Sequence, residues 1–92
     1  MRSHSVPRIV VKRRGSVLEY ALRVIVEFNR GFERIGLIGY GRDVCVLADV
    51  VAEVRRRLGG SVEIVGWEID SRRVGGGRES YLYVELAYRP ES

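Results

Sequence analysis

The sequence has few residues that could serve as nucleophiles, metal ligands or disulfide partners. It contains one Cys and one His among 92 residues. Cys45 alone cannot form an internal disulfide, which is typical of a reducing compartment. Together, His4 and Cys45 are too few to assemble a zinc site from the usual ligands. No His–carboxylate or Cys–His arrangement is evident, so the sequence disfavours a hydrolase or transferase, and we expect no metal and no cofactor.

Long apolar runs are also missing. No run reaches the roughly 18 residues that a membrane span requires, and residues 1–7 lack the apolar stretch of a secretory signal, so we expect a cytoplasmic protein with no membrane partner. Hydrophobic residues make up 46% of the chain and charged residues 30%, which is globular composition. The length suits one core, with little room for a deep pocket. We therefore expect a flexible tail over 1–7 and a single domain over 8–89.

Lysine is nearly absent, although the chain is basic. Sixteen basic residues outnumber twelve acidic ones, the net charge is +4, and Lys12 is the single lysine among fifteen arginines. The guanidinium group is planar, always charged and matched to phosphate oxygens, so this composition favours recognition of a polyanion. The same bias is expected of an arginine-rich genome or a thermophilic source, so composition alone does not establish that function.

Apolar spacing and capping residues predict the first half of the fold. The β-branched segment 8–12 is typical of a strand. Ser16 and Glu19 match the capping box that begins a helix, and Gly31 is suited to end it. A second strand over 34–39 and a glycine turn lead into a second helix that ends at the glycine pair 59–60. The apolar positions expected to face the core are Val17, Leu18, Ala21, Leu22, Ile25 and Phe28 in the first helix and Val44, Leu47, Ala48, Val51, Val54 and Leu58 in the second.

The last third of the chain changes to an alternating pattern. Val62 and Ile64 alternate in one phase, Trp67 and Ile69 in the other, which predicts a β-bulge near 65–66. A further alternating segment over 81–87 predicts the last strand. The order strand-helix-strand-helix-strand-strand predicts an α+β two-layer sandwich, with a four-stranded mixed sheet, two helices on one face and a long terminal hairpin. We expect Trp67, Tyr81 and Tyr83 on a second, partly exposed face that favours dimerisation.

Basic residues cluster at four places in this predicted fold. The turns after the first two strands share one edge of a parallel pair, so Arg13, Arg14 and Arg42 are expected to converge near helix N-termini that favour an anion. The alternative is a solvated basic rim balanced by Asp43 and Glu19. The four clusters are Lys12, Arg13 and Arg14; Arg42; Arg55, Arg56 and Arg57; and Arg72, Arg73 and Arg78.

Two of these clusters have competing interpretations. The run 55–57 closes a helix, where the dipole favours cations whatever the function. In the segment 71–80, three glycines form a mobile tip flanked by arginines. Such an arm suits a DNA minor groove, although a glycine-rich turn can also be only a turn. Elsewhere, we expect Cys45 to be a small core residue, and Asp43, Asp49 and Glu53 to form ion pairs within the helix or between subunits rather than a carboxylate site.

Several short motifs follow one another in a characteristic order: Val17-Leu18-Glu19-Tyr20, Asn29-Arg30-Gly31, Gly41-Arg42, Asp49, Arg55, Arg57 and the glycine-rich hairpin. With these motifs, the chain resembles the Alba family of archaeal chromatin proteins along 8–89. The resemblance implies the fold of the C-terminal domain of a bacterial translation initiation factor, dimers, and association with the chromosome. It implies coating of duplex DNA or RNA with little sequence preference, with Arg14, Arg42, Arg55 and Arg57 on phosphates and the hairpin in minor grooves.

Four positions depart from the family pattern. Gly15 stands in place of the second of two lysines, Tyr40 in place of a basic residue, and Val46 in place of a helix lysine. Leu58 stands where the family has a phenylalanine that contacts the next dimer, so we expect weaker stacking there. These departures suggest a divergent paralogue that pairs with a standard Alba chain, although a homodimer is also possible.

The leading hypothesis is therefore a non-catalytic, dimeric chromatin protein that compacts double-stranded DNA in the cytoplasm. The alternative is an RNA-binding subunit of a ribonucleoprotein, in which Tyr40 or the hairpin arginines stack on unpaired bases. A third reading is a mainly structural partner whose basic surface only supports assembly.

Overall fold

The computed structural model describes residues 6–90. It has the predicted order of elements: β1 (Arg8–Val10), α1 (Val17–Asn29), β2 (Arg34–Tyr40), α2 (Val44–Leu58), β3 (Val62–Val74) and β4 (Gly77–Tyr88). Single 3₁₀ turns, Gly41–Asp43 and Gly59–Ser61, flank α2. The predicted tail falls mostly outside the described residues, His4 included, but the Pro7 carbonyl already accepts a hydrogen bond from Gly36 N–H at 2.8 Å. No helix within residues 6–90 is long and apolar enough to cross a bilayer.

The four strands form one mixed sheet in the order β1-β2-β4-β3. β1 runs parallel to β2, whereas β4 is antiparallel to both β2 and β3. The core lies between the helices and one face of this sheet, where Leu37 of β2, Leu47 of α2 and Leu86 of β4 are fully buried. The predicted two-layer α+β architecture is confirmed.

Both boundaries of α1 follow the predicted signals. Ser16 Oγ accepts the Glu19 N–H at 3.3 Å, and Gly31 adopts a φ of 107° just after the helix. The buried positions of α1 are Ala21, Val24 and Phe28. Leu18 and Leu22, expected in the core, are exposed, because the apolar surface of the helix is wider than the strip that α2 and the sheet cover.

The buried face of α2 also differs from the prediction. Val50 is buried and Ala48 is exposed. Cys45 is exposed, so its assignment to the core is wrong. At 100° per residue, Cys45 lies about 200° around the helix from buried Leu47, and it therefore faces away from the sheet.

The predicted bulge lies between Ile64 and Gly66. Beyond it, Trp67 pairs with Val84 and Ile69 with Leu82, so the apolar residues on both sides of the bulge share the face that carries the helices. Trp67 consequently lies on the opposite face from Tyr81 and Tyr83, and the expectation that the three share a face is wrong. Because of the bulge, the apolar residues that follow it also point to the helix face. The alternation of apolar residues in the sequence does not show this.

Leu47→Ala is expected to lower the free energy of unfolding by about 2–5 kcal/mol, because it leaves a cavity among packed side chains. The matched control is Leu18→Ala, since Leu47 is 1% and Leu18 45% exposed. Urea denaturation followed by circular dichroism measures both. Equal losses in the two variants would contradict this description of the core.

Candidate nucleic-acid interface

The carboxyl ends of β1 and β2 bring two basic turns to the same edge of the sheet. Val10 pairs with Ile38, so the turn over 12–14 and the 3₁₀ turn with Arg42 leave the sheet side by side. Arg13 N–H donates to Asp43 Oδ1 across these turns at 3.0 Å. A shallow depression of about 410 Å³ is lined there by Lys12, Arg13, Arg14 and Asp43. The predicted convergence of the two turns is present.

Asp43 changes the electrostatics of this edge. Its side chain makes no capping bond to its own helix and instead holds the backbone of the β1–α1 turn. The Arg13 amide of this turn is therefore already bonded to a carboxylate. The side chains of Lys12, Arg13, Arg14 and Arg42 are exposed at this edge and carry its positive charge.

Tyr20 shapes the same turn, a role that the sequence pattern does not predict. Its hydroxyl accepts the Lys12 N–H at 3.0 Å. A Cβ at Gly15 would lie 2.6 Å from the Tyr20 ring, so any side chain there requires that ring to move. Gly15, the departure from the family's lysine pair, thus fits a turn whose amides bond internally and whose basic side chains face outward.

The hairpin leaves the sheet at this same end. β2 stops at Tyr40, which pairs with Tyr81, whereas β3 and β4 continue to the pair Val74–Gly77. The four further residue pairs extend about 13 Å beyond the end of β2. We call this ribbon, residues 71–80, the arm. Its turn comprises only Gly75 and Gly76, with a φ of 55° at Gly75 that favours glycine. Gly77 is paired in β4, so the expected three-glycine tip is shorter by one residue.

The three arginines of the arm have different surroundings. Arg72 pairs with Glu79 at 2.9 Å and stacks over the Tyr40 ring. Arg78 donates to Ser71 Oγ from Nε and Nη2, at 3.1 and 3.0 Å. Arg73 lies opposite Arg78 in the strand register. Its side chain is exposed and makes no hydrogen bond to any of residues 6–90. Part of the positive charge of the arm is therefore already paired with a carboxylate of the chain.

The run 55–57 lies at the other end of α2. That helix has 15 residues, or about 22 Å, so a single chain does not bring this run to the edge near Arg42. Glu53 accepts hydrogen bonds from Arg56 and Arg57, the second at 2.7 Å, as expected of an ion pair within the helix. These two bonds lower the pKa of Glu53. Leu58 is half-buried and packs against the core.

Comparison with known proteins settles the family. The chain is 37% identical over 82 residues to the DNA/RNA-binding protein Alba 2 of Saccharolobus solfataricus, covering 85% of the chain and 88% of the relative. The chain belongs to the Alba family. The protein of the same name from Saccharolobus shibatae is 35% identical with the same coverage. At such distances a divergent Alba paralogue is supported. No family model matches the chain.

Solved structures show the same Alba fold. Alba from Thermoplasma volcanium superposes with a TM-score of 0.80 at 19% identity, over 87% of this chain and 98% of that one. ALBA1 from Trypanosoma brucei also gives 0.80, at 10% identity, over 95% of this chain and 73% of that one. Within the described part of the chain, no group of three or more His, Cys, Asp and Glu side chains is arranged to hold a metal.

Glu53→Gln is expected to lower stability at neutral pH and to have less effect in acid. Because the pKa of folded Glu53 is below its ordinary value of 4.5, its contribution is complete above that pH and is lost as the pH falls through the folded-state pKa. Urea midpoints of both proteins at about pH 6 and about pH 3 measure this. A wild-type advantage of the same size at both pH values would contradict it.

Proposed function

We propose that this Alba chain is a non-catalytic, dimeric chromatin protein that binds and compacts double-stranded DNA with little sequence preference. The observation that carries this proposal is the common direction of its basic elements. The turn over 12–14, Arg42 and the arm all project from one end of the sheet. The relatives' names, which describe DNA/RNA-binding proteins, support it.

The two parts of this surface suit different parts of a duplex. Arginines and Lys12 on short, internally bonded turns are suited to phosphates, which fix position but carry no sequence information. The minor groove is only about 6 Å wide, so a tip without side chains enters it more readily than a full ribbon. Gly75 and Gly76 form such a tip, and Arg73 and Arg78 follow behind it. A narrow minor groove attracts arginine through its enhanced negative potential.

Dimerisation has a candidate surface on β3. This edge strand carries Trp67 and Ile69, which are 65% and 66% exposed and lie on the helix face of the sheet. Ile64, on the other side of the bulge, continues the apolar strip. We propose that a second Alba chain, identical or paralogous, covers this strip beside α2. Pairing would place two basic edges and two arms on one particle, which increases the effective concentration of each contact.

RNA is the second candidate ligand. Tyr40, Tyr81 and Tyr83 lie on the sheet face opposite the helices. Arg72 lies over the Tyr40 ring and Arg8 over the Tyr83 ring, so Tyr81 is the ring on this face that is best placed to stack on an unpaired base. The names of both relatives include RNA as well as DNA. Competition between duplex DNA and structured RNA at equal salt separates the two ligands, and crosslinking in the native cell identifies the one that is held.

Arg42→Gln and Arg14→Gln are each expected to weaken duplex binding and to reduce the slope of log K against log salt by about 0.9, because each removes one phosphate contact. The control is Arg30→Gln, which removes the same charge from the C-terminal end of α1, where Arg30 pairs with Glu27. Fluorescence anisotropy over a salt series, with a shuffled duplex alongside, gives both slope and preference.

A wild-type protein that strongly prefers one duplex sequence would contradict the proposal. So would an intact dimer in which neither edge variant alters affinity or slope, which would favour a structural role for the basic surface.

Ile69→Glu is expected to shift the protein from dimer to monomer, because it places a charge in the proposed apolar interface. Analytical ultracentrifugation measures the shift. Val26→Glu is the matched control, since Val26 is 52% exposed on α1, away from β3. A monomeric Val26→Glu beside a dimeric Ile69→Glu would move the interface to α1.

A further inference from the structure

Arg72 occupies a different environment from the other arm arginines. We propose that Arg72 is a positioning residue, which fixes the arm against the turn that carries Arg42, and is not itself a phosphate contact. This inference rests on the proposed function and assigns a distinct role to one of its basic residues. The contacts involved join β2, β3 and β4 at the point where β2 ends.

The guanidinium group of Arg72 has contacts on two sides. Its guanidinium carbon lies 3.5 Å from the centroid of the Tyr40 ring, so one planar face is covered. Its Nε and Nη2 donate to the same Glu79 oxygen, at 3.2 and 2.9 Å. Arg72 pairs with Glu79 in the strand register, so both side chains leave the sheet on one face. The pair is electrically neutral as a unit, which leaves little charge for a phosphate.

The partners of Arg72 lead directly to the turn. Tyr40 is the last residue of β2 and precedes Gly41 and Arg42, and its ring also lies 5.8 Å from that of Tyr81. Glu79 Oε2 lies 3.1 Å from the place that a Cβ at Gly41 would take, and Gly41 has a φ of 57°. The first part of the arm is therefore packed against the turn by both members of the ion pair.

This contact matters because the arm has no third strand beside it. Past the pair Tyr40–Tyr81, β3 and β4 bond only to each other, and a two-stranded ribbon is free to twist and bend. Stacking of Arg72 on Tyr40 restricts the angle between the arm and the edge that holds Arg42. Such preorganisation strengthens binding by reducing the ordering that binding requires. Arg73, on the other face of the ribbon, remains available to a phosphate.

The test uses one substitution that keeps the charge of Arg72 but removes its planar guanidinium group, and one that removes the aromatic ring of Tyr40. Arg72→Lys and Tyr40→Leu are each expected to weaken duplex binding about fivefold, with the salt slope of the wild type, because the arm loses its fixed direction while the phosphate contacts remain. In the double variant the two losses do not add, since both remove one contact. Tyr40→Phe keeps the ring and is expected to bind more tightly than Tyr40→Leu. Arg30→Lys is the matched control.

A second measurement needs no nucleic acid. Amide order parameters from ¹⁵N relaxation over residues 73–78 are expected to fall in Arg72→Lys and Tyr40→Leu and to remain at wild-type values in Arg30→Lys. Unchanged order parameters overturn the inference. It is also overturned if Arg72→Lys binds like the wild type while Arg72→Gln reduces the salt slope by about 0.9, which identifies a phosphate contact. A wild type that binds neither DNA nor RNA refutes the proposed function alone, because the relaxation data still decide the role of Arg72.

Discussion

Parallel pairing of β1 with β2 is the constraint on which the rest of the molecule depends. Two parallel neighbours need a crossover, and α1 supplies it across one face of the sheet. The turn that ends β1 and the turn that ends β2 must then leave at the same edge. The start of each helix follows its turn, so the basic residues there share one end of the molecule. Hydrogen bonds from Arg13 to Asp43 and from Lys12 to Tyr20 hold that arrangement.

A difference in strand length produces the second part of the surface. β2 has 7 residues, whereas β3 and β4 have 13 and 12, and the excess emerges beyond Tyr40 at the basic edge. The bulge after Ile64 has a consequence along β3, the outermost strand on one side of the sheet. It keeps Trp67 and Ile69 on the helix face, but α2 does not cover them. The extension of β3 and β4 thus creates the basic arm, whereas the position of β3 at the margin of the sheet leaves Trp67 and Ile69 uncovered.

Carboxylates decide how much of the arginine charge is available. Asp43 bonds the turn after β1, Glu53 binds two arginines at the end of α2, and Glu79 binds Arg72. Each is exposed or half-buried, so these pairs contribute modestly to stability and mainly fix geometry. The basic surface consequently has less unpaired positive charge than the count of arginines suggests. Within residues 6–90, five basic side chains of this surface take part in none of these hydrogen bonds or ion pairs: Lys12, Arg13, Arg14, Arg42 and Arg73.

Four features could be derived from the sequence alone: the order of the elements, the boundaries of α1, the position of the bulge and the meeting of the first two basic turns. Each follows from local chemistry: capping residues, spacing of apolar side chains, and the geometry of a parallel pair. Tertiary structure alone decided that Cys45 and Leu18 are exposed, that Trp67 faces away from Tyr81, and that Arg72 lies on Tyr40. Periodicity shows which residues share a face but not how much of that face a neighbour covers. The contact between Arg72 and Tyr40 joins residues 32 positions apart, and only strand register and the end of β2 bring them together.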